Sequence, residues 1–438
     1  MTEKEAFERL EKEGIRFVQL WFTDIEGNVK TVSASVDTFD KILRYGATFD
    51  GSSIRGFARI EESDMYLKPE LNTLKILSLN EKHKTALFFS EVLKPDGSIY
   101  EDDPRYVLKN TLNKAKRMGY EYSIGPEVEF FIFKNPHEIK YLDFSGYFDY
   151  MPAEVGETVI PEIISILESI GIKVEYVHHE VSPSQYEIDL HYTDALTMAD
   201  NLLIVKLVIK EVARKYGYHA SFMPKPVEKI NGSGMHVHQS LFKDGKNVFF
   251  DETRPLYLSE TAEKFIAGLL KHAKEITVVT NQWVNSYKRL VPGYEAPVYI
   301  SWGRYNRSPL IRVPAFRKET PSAARIEYRS PDPACNPYLA FAAMLAAGLE
   351  GIKNNYKLGP ATDDNIFRLS SEERVKKGID SLPGSLIEAI IEAEKGTVLK
   401  KTFGDSLFNK LMQAKRKEWD AYRTKITNYE LEKYFPVL

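Results

Sequence analysis

The stretch GPEVEFFIF, Gly125 to Phe133, decides how the rest of the chain is read. A Gly-Pro turn signal precedes β-branched and aromatic residues, which marks a strand. Glu127 and Glu129 stand two apart and share one face, while Val128, Phe130 and Ile132 take the other. Glutamate is a poor strand former, and neighbouring carboxylates repel. Two readings compete here: the solvent-facing side of a half-buried sheet, or a strand that presents carboxylates to a site.

Three further stretches share the pattern. In HVHQS, His236, His238 and Ser240 alternate onto one face; in RIEYR, Arg325, Glu327 and Arg329; in QYEID, Gln185, Glu187 and Asp189. Their opposite faces carry Val237, then Ile326 and Tyr328, then Ile188. Strands that repeatedly offer Glu, His and Arg, where Lys, Thr and Ser would be ordinary, point to a sheet whose concave face is a polar site. Carboxylate donors with few nitrogens and no thiolates suit Mg²⁺ or Mn²⁺ rather than structural zinc. Several carboxylates together need more than one cation to stay ionised. The interleaved arginines suit phosphate or carboxylate oxygens, which they grip bidentately. The turn Asn231-Gly232-Ser233-Gly234, just before His236, lets backbone amides approach an anion. Metal, arginine and glycine-rich turn together suggest phosphoryl transfer. The turn is no Walker A motif, and His178-His179-Glu180 lacks metalloprotease spacing. Two adjacent histidines on a strand are by themselves more often structural than ligands.

A chain of 438 residues is too long for one ordinary core, so two or three domains are expected. Hydrophobic content of 43% and charged content of 28% are ordinary for a soluble globular protein. The near-balanced charge, 59 basic against 62 acidic residues, argues against nucleic acid or an acidic membrane surface as the main partner. The single cysteine, Cys335, permits no intrachain disulfide and fits a reducing compartment. The charged start, MTEKEAFERLEKEG, is no signal peptide, and the apolar run Pro337 to Ile352 is shorter than the ~20 residues of a spanning helix. A cytoplasmic protein without membrane association is the expectation.

Ile15 to Thr23 and Val29 to Val36 read as a hairpin around Asp24 to Asn28, followed by a short helix, Asp37 to Tyr45. Strands follow near Leu74 to Leu79 and Thr85 to Val92. Asp103 reads as an N-cap with Pro104 at the first helical position, which sets a domain boundary near residue 103. Later helices are expected over Asp194 to Tyr216, Ser259 to Thr280, Pro337 to Asn354 and Ser406 to Tyr422. No internal repeat or low-complexity linker is visible.

The chain resembles glutamine synthetase type I over essentially its whole length. The resemblance is carried by FDGSSIRGF at 49–57, GPEVEFFIF at 125–133, HHEVSPSQYEID at 178–189, FMPKP at 222–226 and NGSGMHVHQSL at 231–241. It continues through NSYKRLVPGYEAP at 285–297, NRSPLIRVP at 306–314 and RIEYRSPDPACNPY at 325–338. It implies an α+β chain: a small β-grasp domain over residues 1–103, then a catalytic domain over 104–438 with a curved, mainly antiparallel sheet flanked by helices. The implied reaction joins ammonia to the γ-carboxylate of L-glutamate with ATP, through γ-glutamyl phosphate.

The resemblance also implies roles. Glu129, Glu180 and Glu187 would hold one divalent metal, and Glu127, His236 and Glu327 another. Glu175, His238, Ser240, Arg312 and Arg325 would meet ATP. Asn231, Gly232, Arg289, Glu295 and Arg329 would meet glutamate. Arg307 would reach the transferred phosphoryl group. Asp50, with Ser53, would enter a neighbouring subunit's site and deprotonate ammonium, while Glu295 on a flap would shield the intermediate from water. The assembly implied is a dodecamer of two hexameric rings with shared active sites, with nitrogen-regulatory proteins as further partners.

Two departures bear on this. Ser184 stands where the family usually has glycine, in the loop between metal ligands. Phe367 stands where an adenylylated tyrosine lies in one branch, so no adenylylation is expected; labelled nucleotide on this chain after exposure to an adenylyltransferase would contradict that. GFARIEESDMYL resembles the glutamine-inhibited branch, which makes Arg59 the regulatory candidate against a plain ion pair with Glu61 or Glu62. The rival readings are a ligase for another amine such as a polyamine, a phosphotransferase that needs no amine, and a non-catalytic nitrogen-control binding protein. The last expects eroded metal ligands, whereas all six positions hold Glu or His.

Overall fold

The structure, a computed structural model, describes residues 1–54, 56, 64–79, 84–304, 307–362 and 366–438. Arg59, the regulatory candidate, lies outside the described residues, as do positions 363–365 and the side chain of Phe367.

The first part of the chain forms a six-stranded sheet. Its strands are β1 (Phe17–Thr23), β2 (Val29–Ser35), β3 (Ala47–Asp50), β4 (Asp64–Pro69), β5 (Lys75–Leu77) and β6 (Thr85–Leu93), in the order β2-β1-β6-β4-β3, with β5 paired to β6. The expected hairpin is present, in register from Phe17 opposite Ser35 to Thr23 opposite Val29. Asp24 fixes its turn: one carboxylate oxygen accepts the backbone N–H groups of Glu26 and Asn28, each at 3.0 Å. Alternation puts Leu20 and Phe22 inward, against Phe39 of the helix Phe39–Tyr45 and Phe88 of β6.

Asp103 caps the next helix, Pro104–Arg117, by accepting from the amides of Arg105 and Tyr106. Burial pushes its carboxyl up to about 7, against the pull of Arg105. Arg105 joins the two parts of the chain. Its guanidinium donates to both oxygens of Asp200, each at 2.9 Å, and lies 3.0 Å from Glu70 at the end of β4. A second tie is Lys415, fully buried between Glu26 and Glu418 at 3.0 Å each and stacked over Trp283.

The larger sheet has eleven strands: β7 (Glu121–Phe133), β8 (Val174–His179), β9 (Gln185–Leu190), β10 (Thr193–Asp194), β11 (His219–Ser221), β12 (Met235–Lys243), β13 (Lys246–Asn247), β14 (Tyr299–Gly303), β15 (Pro309–Arg312), β16 (Ile326–Tyr328) and β17 (Asp380–Ser381). Its main path runs β17-β14-β15-β16-β12-β7-β9-β8, and among the described residues only β14 and β15 pair in parallel. One face packs on the helices Ala195–Lys215, Glu260–Thr280 and Pro337–Lys353 through Val128, Phe130, Val237, Ile326 and Tyr328, each fully buried. The apolar helix Pro337–Lys353 sits in this core, and no helix among the described residues is long and apolar enough to cross a membrane. The last long helix starts earlier than expected, at Val398, and is broken at Gly404, whose φ of +79° interrupts the helical pattern.

Candidate active site

Strand register builds the floor of the site. His236 on β12 stands opposite Glu127 on β7, and Glu127 stands opposite Asp189 on β9. Glu129 is opposite Glu187, and His238 is opposite Glu327 on β16. Because side chains alternate, these pairings carry Glu127, Glu129, Glu187, Asp189, His236, His238 and Glu327 to one face. The face forms a cavity of about 940 Å³ lined by Glu127, Glu129, Glu180, Glu187, His236 and Glu327. Asn231, Gly232, Arg289, Glu295, Arg307, Arg312 and Arg329 line it as well. A smaller cavity of about 300 Å³ adjoins it, reached by Glu175, His238, Ser240 and Arg325. The two cavities share Glu127, Tyr176 and Asp189, so the sheet face carries one divided cleft. Arg312 lies with the larger cavity rather than the smaller one.

Carboxylates are crowded. Glu180 is pushed up to about 8 by burial and the Glu129 charge, and Asp189 to about 7 by burial and Glu127. Glu187 is also raised, by burial first and then by the charges of Glu129 and Glu127. Two members are displaced downward instead. Burial opposes it, but the imidazoles of His236 and His238, at 2.9 and 2.7 Å, hold Glu127 far below the ordinary range. Glu327 is lowered against burial by Arg329, whose Nε donates at 3.0 Å, while Arg312 donates to its other oxygen at 2.7 Å. Such a cluster of oxygen donors is destabilised by its own charge and suits a hard cation.

Ligand atoms of Glu127, Glu187 and His236 lie within 4.8 Å of one another, as do those of His178, Glu180 and Glu187. The two groups share Glu187 and cut across the two ligand sets that the resemblance implies, which they do not test. Glu129 accepts from the Gly234 amide at 2.8 Å and from Gln185 at 2.9 Å, and Glu327 is bound by the two arginines. His236 still bridges toward both, at 4.0 Å from Glu129 and 3.8 Å from Glu327. All six expected ligands thus face one space, and His178 joins them. Its neighbour His179 is structural, fully buried and 2.8 Å from Asp143.

The glycine turn has a steric reason. A Cβ on Gly232 would lie 2.1 Å from the Pro224 carbonyl oxygen, and one on Gly234 would lie 2.4 Å from the Arg289 guanidinium. Arg289 is buried and donates to the Ser330 carbonyl at 2.7 Å, which fixes its direction behind this turn. Arg312 Nε and Arg329 Nη1 are buried atoms with no hydrogen-bond partner among the described residues, while Arg307 Nη1 donates to the Tyr147 hydroxyl at 3.3 Å. Unpaired guanidinium donors beside a crowded acidic face fit an anionic substrate that enters together with cations.

Asp50 and Ser53 stand apart from all of this. They are exposed at the end of β3, and Asp50 accepts from the Ser52 hydroxyl at 2.7 Å and amide at 2.8 Å, which lower its pKa. Neither lines the cleft of its own chain. Sequence reading missed Tyr147 and His178 in the larger cavity and Tyr192 and Phe242 in the smaller, and gave Gln185 no role although it placed it on the polar face. Gln185 carried a usable signal, since it lies on the alternating face with Glu187. The rings of Tyr192 and Phe242 lie nearly parallel, 6.5 Å apart.

Comparison with known proteins gives consistent findings. Residues 14–95 match the family model "Glutamine synthetase, beta-Grasp domain", and residues 101–434 match "Glutamine synthetase, catalytic domain". The chain is 50% identical over 430 residues to a glutamine synthetase of Thermotoga maritima, covering 97% of both chains. It is 48% identical over 443 residues to that of Methanosarcina mazei, covering 100% of this chain and 98% of the relative. Among solved structures, a GmaS/ADP complex superposes with a TM-score of 0.90 at 30% identity, covering 100% of both chains. The Plasmodium falciparum glutamine synthetase superposes at 0.88 with 28% identity, covering 99% of each.

Proposed function

The chain belongs to the glutamine synthetase family, and from that premise we propose how its cleft carries out ATP-dependent ligation of ammonia to glutamate. The observation that carries the reading is the register-built face on which five glutamates and a histidine meet buried, unpaired arginine donors.

ATP lies across the smaller cavity, near Glu175, His238, Ser240 and Arg325, with its phosphates directed at the larger one and Arg312. Glutamate occupies the larger cavity beside Asn231, Gly232, Arg289 and Arg329. Its γ-carboxylate oxygen attacks the γ-phosphorus and the bond to the ADP oxygen breaks, giving γ-glutamyl phosphate and ADP. An anion attacking an anion needs positive charge at the transferred group, which Arg307 and the unpaired atoms of Arg312 and Arg329 supply. Ammonium loses a proton to Asp50 of a neighbouring subunit, because only neutral ammonia has a lone pair to attack with. Ammonia then attacks the acyl carbon, the C–O bond to phosphate breaks, the departing phosphate takes up the proton that the nitrogen sheds, and glutamine remains. Glu295, on the loop at the mouth of the larger cavity, helps keep water from the acyl phosphate.

Divalent ions, Mg²⁺ or Mn²⁺ and two or more per site, are held by Glu127, Glu129, Glu180, Glu187, His236 and Glu327, with His178 nearby, and when bound they neutralise carboxylate and phosphate charge. The exposed position of Asp50, away from its own cleft, favours an assembly in which rings of subunits share sites, as in a dodecamer of two hexamers. A cytoplasmic setting fits the demand for ATP and the single buried cysteine.

The test follows glutamine and phosphate together in purified protein with ATP, Mg²⁺ and L-glutamate, with and without ammonium. Equal amounts of both, dependent on ammonium, are expected. Phosphate without glutamine overturns ammonia as the acceptor, and neither product overturns catalysis.

A further inference from the structure

Ser184 occupies the turn between Glu180 and Glu187 with a φ of +59°, a left-handed conformation that glycine adopts more readily than any residue with a Cβ. Its hydroxyl is fully buried and bonded. It accepts the backbone N–H of Leu142 at 2.7 Å and that of Asp143 at 3.2 Å. The Ser184 amide reaches back to the Asp143 carboxylate at 3.4 Å, which also meets His179 Nε2 at 2.8 Å and the Tyr186 hydroxyl. A turn that carries ligand candidates is thereby stitched to a loop far away in sequence.

That loop runs on to the larger cavity. Phe148 donates its amide to the His179 carbonyl at 3.1 Å, and its ring lies 4.5 Å from the His178 imidazole, which is 3.0 Å from Glu187. Tyr147 lines the cavity and accepts from Arg307. We propose that Ser184 is a positioning residue whose hydroxyl, through the Leu142 and Asp143 amides, fixes the 142–148 loop and with it the Tyr147 hydroxyl that holds Arg307. The inference rests on the function proposed above. A glycine at this position would relax the backbone but leave both amides without their acceptor. The chain retains a side chain in a costly conformation, and the loop attachment is the return visible in the structure.

The experiment compares wild type with Ser184→Gly, Ser184→Ala, Tyr147→Phe and the Ser184→Gly/Tyr147→Phe pair. Glycine suits the φ, so Ser184→Gly should fold, and alanine separates loss of the hydroxyl from relief of the backbone. Hydrogen exchange at Leu142 and Asp143 should speed up about tenfold or more in both Ser184 variants. Turnover should fall roughly three- to tenfold, with KM for glutamate and ATP changed less than about twofold. The loss should largely vanish when Tyr147 is already phenylalanine, because the two residues act through one contact. Unchanged exchange, or turnover losses that simply add in the double variant, would overturn the proposal. A wild type that makes no glutamine would defeat the proposed function instead, and the exchange data would still decide whether Ser184 holds the loop.

Discussion

Neutralising Glu180 should stabilise the metal-free protein while destroying its function. Its carboxyl is raised from 4.5 to about 8 by burial and by the Glu129 charge. The sign follows from linkage. Below about pH 4.5 the group is protonated in folded and unfolded chains alike, and no penalty exists; as pH rises toward 8 the unfolded chain ionises freely and the native state does not. At about pH 7, near 2.5 units above the ordinary value, the penalty is about 3 kcal/mol at ~1.4 kcal/mol per unit. Unfolding entropy of ~2.1 cal/mol/K per residue over 438 residues converts this to a midpoint rise of about 3–4 °C for Glu180→Gln. The assay is a thermal scan in excess chelator at about pH 7, repeated at about pH 5, where the gap should shrink below ~1 °C. With saturating Mg²⁺ or Mn²⁺ the order should reverse, because the wild type gains a ligand that the variant lacks. A variant no more stable than wild type in chelator at neutral pH would refute the idea that these carboxylates are held together against their own repulsion.

Arg105→Met should cost about 3–5 kcal/mol, because it strands the buried carboxylate of Asp200 between the two parts of the chain, and urea denaturation would read it. Gly232→Ala should lose turnover by more than about a hundredfold with the overall fold kept, since its Cβ would displace the Pro224 carbonyl or Arg289; circular dichroism beside the activity assay separates the two effects. Asp50→Ala and Arg307→Ala subunits, each inactive alone, should regain partial activity when mixed, and none in verified hybrid rings would count against shared sites.

The site was more legible in the sequence than the frame around it. Period-two alternation survives any uncertainty about tertiary structure, so Glu127 with Glu129, His236 with His238, and Glu327 with its flanking arginines could be read as one face before any pairing was known. The histidine pair shows the limit of that reading. His179 is a core residue bonded to Asp143, and His178 turns to Glu187; only strand register separates their fates. Strands β3 and β4 left little signal, being short and closed by Asp50 at one end and opened by Asp64 at the other. The division of ligands between ions rests on the resemblance alone, because spacing along the chain does not assign it. Nothing in the spacing of Glu129 says that a backbone amide and Gln185 already engage one of its oxygens. Asp50 is a different case: it stands exposed outside its own chain's cleft, and no pattern along one sequence says what it faces.

The most direct test uses L-glutamate labelled with heavy oxygen in its γ-carboxylate, supplied with ATP, ammonium and Mg²⁺. Transfer through γ-glutamyl phosphate requires a carboxylate oxygen to leave with the phosphate. Label is expected in the released phosphate in step with glutamine formed. Phosphate that carries none, while glutamine accumulates, would contradict transfer through γ-glutamyl phosphate.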